Sequence, residues 1–197
     1  QGRVQYKLQK AVATGRKVAA AAARQFIPAH LELGGKDPAL VFADADLPRA
    51  AAALSWGSTV NAGQSCLSIE RIYVERPAMD TFVGDLVSAT QALTLNTDDV
   101  AGGQIGPVIA RPQADILKAH LDDAVAKGAR VLCGGQLLER GGIWCQPTVL
   151  VDVNHDMLVM REESFGPLLP VMPFGDESEA VALANDTRFG LSAAVFT

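Results

Sequence analysis

Residues 38–48 read PALVFADADLP, an apolar run followed by two aspartates and a proline. The apolar run is typical of a buried strand, which we predict over residues 38–42. Asp44 and Asp46 are suited to cap a helix, and Pro48 is tolerated in a first helical turn. The stretch therefore predicts a strand followed directly by a helix that runs towards Thr59.

Strand and helix patterns alternate along the rest of the chain. Because parallel strands need helical crossovers, this alternation predicts an α/β fold with a doubly wound, mostly parallel sheet. Residues 61–65 and 96–106 are predicted loops. We predict an alanine-rich helix around residues 18–24, helices over 44–59, 77–93, 112–127 and 177–185, and strands over 29–33, 38–42, 69–74, 130–133, 148–153, 168–174 and 191–196.

The composition limits the class of protein. The 197 residues are 49% hydrophobic and 20% charged, which fits one globular domain, or one domain with part of another. A net charge of -5 without a basic run gives no electrostatic reason to expect nucleic acid or an anionic membrane as a partner. No apolar run approaches the roughly 18–20 residues of a membrane helix. Three cysteines at irregular spacing make a poor disulfide framework, so we expect a reducing, cytoplasmic location.

Cys66 is the first candidate for chemistry. It ends the segment NAGQSC, residues 61–66, in which small residues and a glycine predict an open loop. A thiolate is the strongest side-chain nucleophile near neutral pH, so a substrate that reached this loop would be open to attack. The alternative is an inert, buried cysteine that packs as a small hydrophobic residue.

Glu32 is the second candidate. It lies between Leu31 and Leu33, and on a strand its side chain would face away from both. A carboxylate beside apolar groups is suited to act as a general base. The alternative is an ordinary surface glutamate on an edge strand. Lys36, just after two glycines, is interpreted as a cation that fixes the loop and not as a catalyst.

Glu163 and Phe165 lie in the segment EESFGP, residues 162–167. A carboxylate can accept two hydrogen bonds from ribose hydroxyls, and a nearby aromatic ring can pack on a planar heterocycle. The pair is therefore a candidate nucleotide contact. The alternative is a charged turn followed by a phenylalanine of the core.

The sequence gives no indication of a metal site. His30, His120 and His155 are scattered and show neither an HExxH pattern nor a paired spacing, so we expect no zinc. A GxSxG elbow and a Walker-type glycine loop are also missing from the sequence.

Taken together, three segments resemble the signatures of the aldehyde dehydrogenase superfamily. Residues 31–36, LELGGK, are similar to its glutamate signature, residues 61–66 to its cysteine signature, and residues 162–167 to a third block. The 34 positions from Glu32 to Cys66 and the 97 from Cys66 to Glu163 agree with the family layout. Three blocks in order are more specific than any one alone, and the resemblance covers residues 11–197.

The resemblance implies a mechanism with NAD or NADP as cofactor. Cys66 would attack the aldehyde carbon to give a thiohemiacetal, and loss of hydride to the nicotinamide would leave a thioester. Glu32 would activate the water that hydrolyses it, which favours a free carboxylic acid over transfer to coenzyme A. Glu163 would hold the nicotinamide ribose, and Phe165 would pack near the ring.

Part of the family pattern is unmatched. Residues 9–11, QKA, stand where the family usually has a Thr-Gly-Ser segment that meets the pyrophosphate, so residues 1–10 are expected to be an unrelated start. We expect residues 1–33 to combine that start with the tail of a nucleotide-binding domain. Residues 34–197 would then form a truncated catalytic domain that carries the thiol.

Two functional interpretations follow from the resemblance. In the first, the chain is the catalytic part of an aldehyde dehydrogenase whose isolated 197 residues are weak or inactive, because much of the cofactor site lies elsewhere. In the second, it is a non-enzymatic remnant or a subunit-pairing fragment, with at most residual esterase activity from Cys66 and Glu32. Family members are dimers or tetramers, so a homo-oligomer is expected for the full-length parent.

Overall fold

The computed structural model describes residues 11–197; the predicted unrelated start, residues 1–10, lies outside the described residues. The chain divides into two compact units, with the boundary between Gly35 and Lys36. In the first unit, helix α1, Ala11–Arg24, confirms the predicted alanine-rich helix. Phe26 follows in the left-handed region with φ 52°, and the Ile27 N–H donates to the Ala22 carbonyl at 3.1 Å. This arrangement closes the helix as a Schellman motif does.

The strand predicted over residues 29–33 is wrong. Residues 27–36 are irregular, and α1 is the only regular element that the structure describes in this unit. A strand needs a neighbouring strand to pair its N–H and C=O groups, and no such neighbour is described within the first unit. Leu33 instead lies close to α1 at Gly15, where an added Cβ would come within 2.6 Å of the Leu33 Cδ2.

Strands and helices alternate through the second unit, residues 36–197. The longest of these helices has 16 residues, and no helix within residues 11–197 is long and apolar enough to cross a membrane. The strands are β1 Asp37–Val41, β2 Ile69–Glu75, β3 Arg130–Cys133, β4 Leu137–Glu139, β5 Ile143–Cys145, β6 Thr148–Val151, β7 Leu168–Phe174 and β8 Ala194–Phe196, and the helices are α2 Leu47–Thr59, α3 Met79–Gln91, α4 Arg111–Ala126, α5 Leu158–Arg161 and α6 Glu177–Asn185.

Six of these strands form one sheet in the order β3-β6-β7-β2-β1-β8. All neighbouring strands are parallel except the β3–β6 pair. Helices cover both faces: on β1, Ala39 and Val41 pack in one apolar cluster with α2 and α3, whereas Leu40 packs in a second with α4 and α6. Side chains of a strand alternate between its two faces, which is why consecutive residues enter different clusters. The predicted doubly wound, mostly parallel α/β fold is confirmed.

Some element boundaries differ from the prediction. The predicted loop over residues 61–65 begins with a 3-10 turn, Val60–Gly63, and a second such turn, Arg76–Ala78, precedes α3. The last strand is shorter than predicted. The β4–β5 hairpin and α5 were not predicted, because elements of three or four residues are too short to show a hydrophobic period.

Candidate active site

Cys66 lies on a loop between the end of α2 and the start of β2. Residues 61–63 all have left-handed backbone conformations, with φ angles between 54° and 69°. Three such residues in succession turn the chain sharply away from the axis of α2. The Ser68 N–H then donates to the Ser65 carbonyl at 3.1 Å, which closes a turn with Cys66 inside it.

The three cysteines are free thiols in different surroundings. Cys145 is 1% exposed, and burial raises the pKa of its thiol to about 12, so it holds its proton at neutral pH. Burial also raises the pKa of Cys133. Cys66 is half-buried on its turn, and it has the partial exposure that a nucleophile requires. The alternative of an inert, buried cysteine fits Cys145.

Gln64 fixes the thiol-bearing loop to a neighbouring segment. Its Nε2 donates to the carbonyls of Asn61 and Pro107, each at 3.2 Å, and its Oε1 accepts from the Ile109 N–H at 2.7 Å. The Asn61 Nδ2 donates in turn to the Gln64 carbonyl at 3.0 Å. The loop is therefore held from both sides, which limits how far Cys66 can move.

The cysteine segment touches the third predicted block directly. Gly63 lies so close to the backbone of Gly166 that an added Cβ would come within 2.3 Å of the Gly166 carbonyl carbon. It would also come within 2.7 Å of the Pro167 nitrogen. Only a residue without a side chain permits this approach. Two of the three motifs that are distant in sequence thus meet in the second unit.

Glu163 and Phe165 extend from the contact between these two segments. Glu163 is half-buried, and Phe165 is 8% exposed with a left-handed φ of 49°. Phe165 is one of the buried apolar residues but belongs to neither of the two apolar clusters, so both the nucleotide contact and the core phenylalanine stay open as interpretations. A non-glycine residue keeps such a φ only where its surroundings hold it.

Glu70, which the sequence analysis did not select, holds this segment in place. It lies on the central strand β2 with 2% of its surface exposed. Its Oε2 accepts from the Ser164 N–H and its Oε1 from the Phe165 N–H, both at 2.8 Å. The Lys36 ammonium donates to the same Oε2 at 2.6 Å. A charged residue within a strand buried on both faces must be paired, and that was the signal available in the sequence.

Lys36 has the contacts of a structural cation, the role that the sequence analysis favoured over catalysis. It is 1% exposed, and burial lowers its pKa, while the charges of Glu70 and Glu163 oppose that shift. Its ammonium also donates to the Ser164 Oγ at 3.2 Å. The Nδ1 of His120 lies 3.1 Å from the same Oγ of Ser164, within hydrogen-bond distance. Burial, together with the charge of Lys36, lowers the pKa of His120 to about 4, so this imidazole is neutral at pH 7.

A sequence model of the aldehyde dehydrogenase family matches residues 10–197. This chain belongs to the aldehyde dehydrogenase family. Among similar proteins, a 4,4'-diapolycopene aldehyde oxidase from Methylomonas sp is 50% identical over 184 residues, which make up 93% of this chain and 34% of that protein. The NADP(+) succinate-semialdehyde dehydrogenase GabD of Escherichia coli is 42% identical over 179 residues, or 91% of this chain and 37% of that protein.

Solved structures show the same relationship. The putative aldehyde dehydrogenase PutA from Anabaena variabilis has a TM-score of 0.93 and 58% identity, and the match covers 94% of this chain and 40% of that one. The chain thus spans two fifths or less of the length of these relatives. Enzymes named for NAD and enzymes named for NADP both occur among the relatives.

The segment that resembles the glutamate signature, residues 31–36, lies in the first unit except for Lys36. Glu32 is exposed, and its neighbours Leu31 and Leu33 are 36% and 40% exposed. Because residues 29–33 do not form a strand, the alternation expected to turn Glu32 away from both leucines does not apply. The pairing of Glu32 with Cys66 stays a prediction.

The two histidines of the second unit, His120 and His155, have different partners. His120 contacts Ser164, whereas His155 contacts the Tyr73 hydroxyl at 2.8 Å and forms an ion pair with Asp186. Within residues 11–197, no three His, Cys, Asp or Glu side chains are grouped as a metal ion would require. The buried Arg71 donates to the Leu183 and Ala184 carbonyls, so it anchors β2 to the end of α6.

Proposed function

We propose that this chain is the thiol-bearing part of an enzyme that oxidises an aldehyde to a carboxylic acid with NAD or NADP. The observation that carries the proposal is the close approach of Gly63 to Gly166. It brings the loop of the half-buried Cys66 next to the segment of Glu163 and Phe165. A nucleophile and a nucleotide contact on adjoining segments are what oxidation of a thiol-bound aldehyde requires.

The residues of the second segment fit the nicotinamide end of the cofactor. Glu163 is partly exposed, as a side chain that binds ribose hydroxyls must be, and Phe165 offers a ring beside it. When bound, the nicotinamide supplies the hydride acceptor. The protein contributes the position of Glu163 and Phe165 relative to Cys66.

The chemistry of the chain itself begins at the sulfur. The Cys66 thiolate adds to the aldehyde carbon, and a C–S bond forms while the carbonyl oxygen gains negative charge. The backbone N–H of Cys66 is one donor that can stabilise this oxyanion. After the substrate carbon has lost its hydride, Glu32 takes a proton from water, whose oxygen attacks the thioester. The C–S bond breaks, the acid leaves, and the thiolate is restored.

For the 197-residue chain alone we expect weak dehydrogenase activity or none, because it spans 40% or less of its relatives. Residual hydrolysis of activated esters would still be open to Cys66 and Glu32. The other candidate function, a non-enzymatic remnant or a fragment that pairs with another subunit, predicts no dehydrogenase activity and at most residual hydrolysis of esters.

The nucleophile is tested with an activated ester and the Cys66→Ala variant. We expect the variant to lose the burst of product that acylation of the thiol produces. Cys133→Ala is the matched control, because Cys133 is also a half-buried free thiol but lies on β3. Equal ester rates in the wild-type and Cys66→Ala proteins would rule out Cys66 as the nucleophile. Formation of reduced nicotinamide from aldehyde with NAD or NADP, measured by absorbance, tests the oxidation itself.

The general base is tested separately with Glu32→Gln. We expect the burst to remain and the steady-state ester rate to fall about 100-fold, as loss of a general base does. An unchanged steady-state rate would remove Glu32 from the mechanism and leave Cys66 unaffected.

The broader setting is also a proposal. We propose that residues 34–197 form the catalytic domain, that residues 1–33 include the tail of a nucleotide-binding domain, and that the full-length parent is a homo-oligomer. The unit boundary between Gly35 and Lys36 supports this division. A reducing, cytoplasmic location is consistent with three free thiols. Light scattering of the purified protein tests the oligomeric state, and cell fractionation tests the location.

A further inference from the structure

We propose that Glu70 is the positioning residue of the candidate site. Its carboxylate, paired with Lys36, holds residues 163–165 in the conformation that presents Glu163 and Phe165 to the nicotinamide riboside. The role in cofactor binding rests on the proposed function. The hydrogen bonds that hold residues 163–165 are present in the chain without cofactor.

The Glu70 carboxylate meets two consecutive backbone N–H groups. One oxygen accepts from Phe165 and the other from Ser164, so that each N–H has its own acceptor. Hydrogen bonds to a carboxylate are stronger than neutral ones, and a fork of two fixes orientation as well as position. Phe165 has a left-handed φ of 49°. The hydrogen bond from its N–H to the Glu70 carboxylate therefore stabilises this conformation.

Ser164 is held at every polar group. Its N–H binds Glu70, its carbonyl accepts from the Gln113 Nε2 at 2.6 Å, and its Oγ contacts both Lys36 and His120. Because Lys36 donates to the Oγ, that hydroxyl is able to donate its own proton to the neutral imidazole. Ser164 is thus a fixed point, and the two neighbouring residues that we assign to the cofactor extend from it.

The same carboxylate connects the segment to the nucleophile. Glu70 is four residues beyond Cys66 on the same stretch of chain, at the start of β2. Gly63, three residues before Cys66, touches Gly166. The segment is therefore attached on both sides of the thiol, and a shift at Glu70 would change the distance between the sulfur and the groups that face the cofactor.

Burial of a lysine and a glutamate costs free energy of desolvation, and apolar side chains of similar size would pack as well. What apolar side chains do not supply is an acceptor for two inward-facing N–H groups. Lys36 then supplies the opposite charge that the buried carboxylate needs, at 0% and 3% side-chain exposure for the two partners.

The test uses Glu70→Gln in the 197-residue chain, with amide hydrogen exchange read at Ser164 and Phe165. An amide offers one acceptor oxygen where the carboxylate offers two. We expect exchange at these two positions to rise about tenfold or more, the effect of losing a hydrogen bond to a charged group. Glu75→Gln is the matched control, because Glu75 ends the same strand and accepts one backbone N–H, from Ala43 at 2.7 Å. It should leave exchange at both positions unchanged.

A second measurement separates positioning from simple stability. We expect protection of Cys66 from iodoacetamide by NAD+ or NADP+ to weaken about tenfold in Glu70→Gln and to keep its wild-type value in Glu75→Gln. Partial recovery of that protection in Glu70→Asp would support the role of the carboxylate. If Glu70→Gln does not fold, the Lys36→Met/Glu70→Gln double variant removes the unpaired ammonium and is measured in the same way.

Unchanged exchange at both amides in a folded variant would overturn the proposal, and so would an equal rise throughout β2. If the wild-type chain shows no protection by either dinucleotide, that result agrees with a cofactor site that lies largely outside these 197 residues. Equal ester rates in the wild-type and Cys66→Ala proteins are the outcome that counts against the proposed function. The exchange experiment needs no cofactor, so it still decides whether Glu70 holds the segment.

Discussion

Residues 61–63 show how strongly single positions control the candidate site. Their left-handed conformations turn the chain from α2 towards the turn that carries Cys66. Gly63, with φ 69°, combines that conformation with the approach to Gly166. Asn61 tolerates positive φ better than most residues, because its short side chain hydrogen-bonds locally, here to the Gln64 carbonyl. Local backbone geometry and contact between motifs therefore depend on the same three residues.

We predict that Gly63→Ala destabilises the fold by about 2 kcal/mol or more, because the new Cβ would both strain the backbone and collide with Gly166. Urea unfolding measures the change, and the ester burst at Cys66 should fall as well. Gly84→Ala on α3 is the control, since nothing lies within 4 Å of the added Cβ. It should stabilise the chain by about 0.5–1 kcal/mol through helix propensity. Equal effects of the two substitutions would contradict this account of Gly63.

His120 gives a prediction about pH. Its pKa of about 4 in the folded chain lies below the ordinary value of 6.5, so below pH 6.5 the unfolded chain binds more protons. Stability should therefore fall as the pH drops from about 6.5 to about 4, by up to about 3 kcal/mol. In His120→Gln, the urea-unfolding midpoint should depend less on pH over this range. Asp176 and Asp186, whose pKa values are lowered by Ser178 and His155 respectively, lose their contributions at more acidic pH. A wild-type midpoint that is constant between pH 4 and 6.5 would contradict the prediction.

At the scale of elements, helix ends explain why the predicted boundaries were good in some places and poor in others. The strand predicted over 168–174 and the helix predicted over 177–185 match β7 and α6 at both ends. Asp176 caps α6 by accepting from the Glu179 N–H at 2.9 Å, so a local interaction marks its start. The predicted strand over 29–33 failed because a strand depends on a partner that the local sequence does not contain.

The cap of α2 provides an element-scale prediction. Asp44 and Asp46 were both candidates, and the structure assigns the cap to Asp46, which accepts from the Arg49 N–H at 3.2 Å. Asp46→Ala should lower the free energy of unfolding by about 1 kcal/mol, while Asp46→Asn should cost only a few tenths. Asp44→Ala is the matched control, because Asp44 contacts the Thr197 hydroxyl and no amide of the helix. Thermal unfolding followed by circular dichroism compares the three variants, and a larger loss from Asp44→Ala would reverse the assignment.

At the scale of the whole molecule, the second unit contains the six-stranded sheet with apolar layers on both faces. Every buried residue of the two core clusters lies between Ala39 and Ala180. The Lys36–Glu70 pair, the thiol loop and the segment of Glu163 also lie within this unit. A unit that buries its own core is expected to fold as a domain.

We predict that a chain of residues 36–197 keeps a cooperative unfolding transition, because the sheet and both core clusters are retained. Circular dichroism and urea unfolding compare it with the 197-residue chain. The shorter chain should keep the ester burst at Cys66 and lose the slower turnover assigned to Glu32. A noncooperative transition would mean that residues 1–35 are needed for the fold of the second unit.

The sequence by itself determined the family and most of the elements. Local signals marked most helices and strands, since apolar periods, proline, glycine and cap residues act on neighbouring positions. The order and spacing of three motifs pointed to aldehyde dehydrogenases, which the match over residues 10–197 confirmed.

Only the tertiary structure decided how those motifs meet. The role of Glu70 depends on hydrogen bonds across 94 and 95 positions, and Gly63 depends on a backbone that lies more than a hundred positions away. In the sequence, Glu70 is one of 22 acidic residues. Its significance comes from burial and from two N–H groups that face it, which arise only when β2 lies beside β7 in the sheet. Contacts of this kind are products of the fold, so no local pattern encodes them.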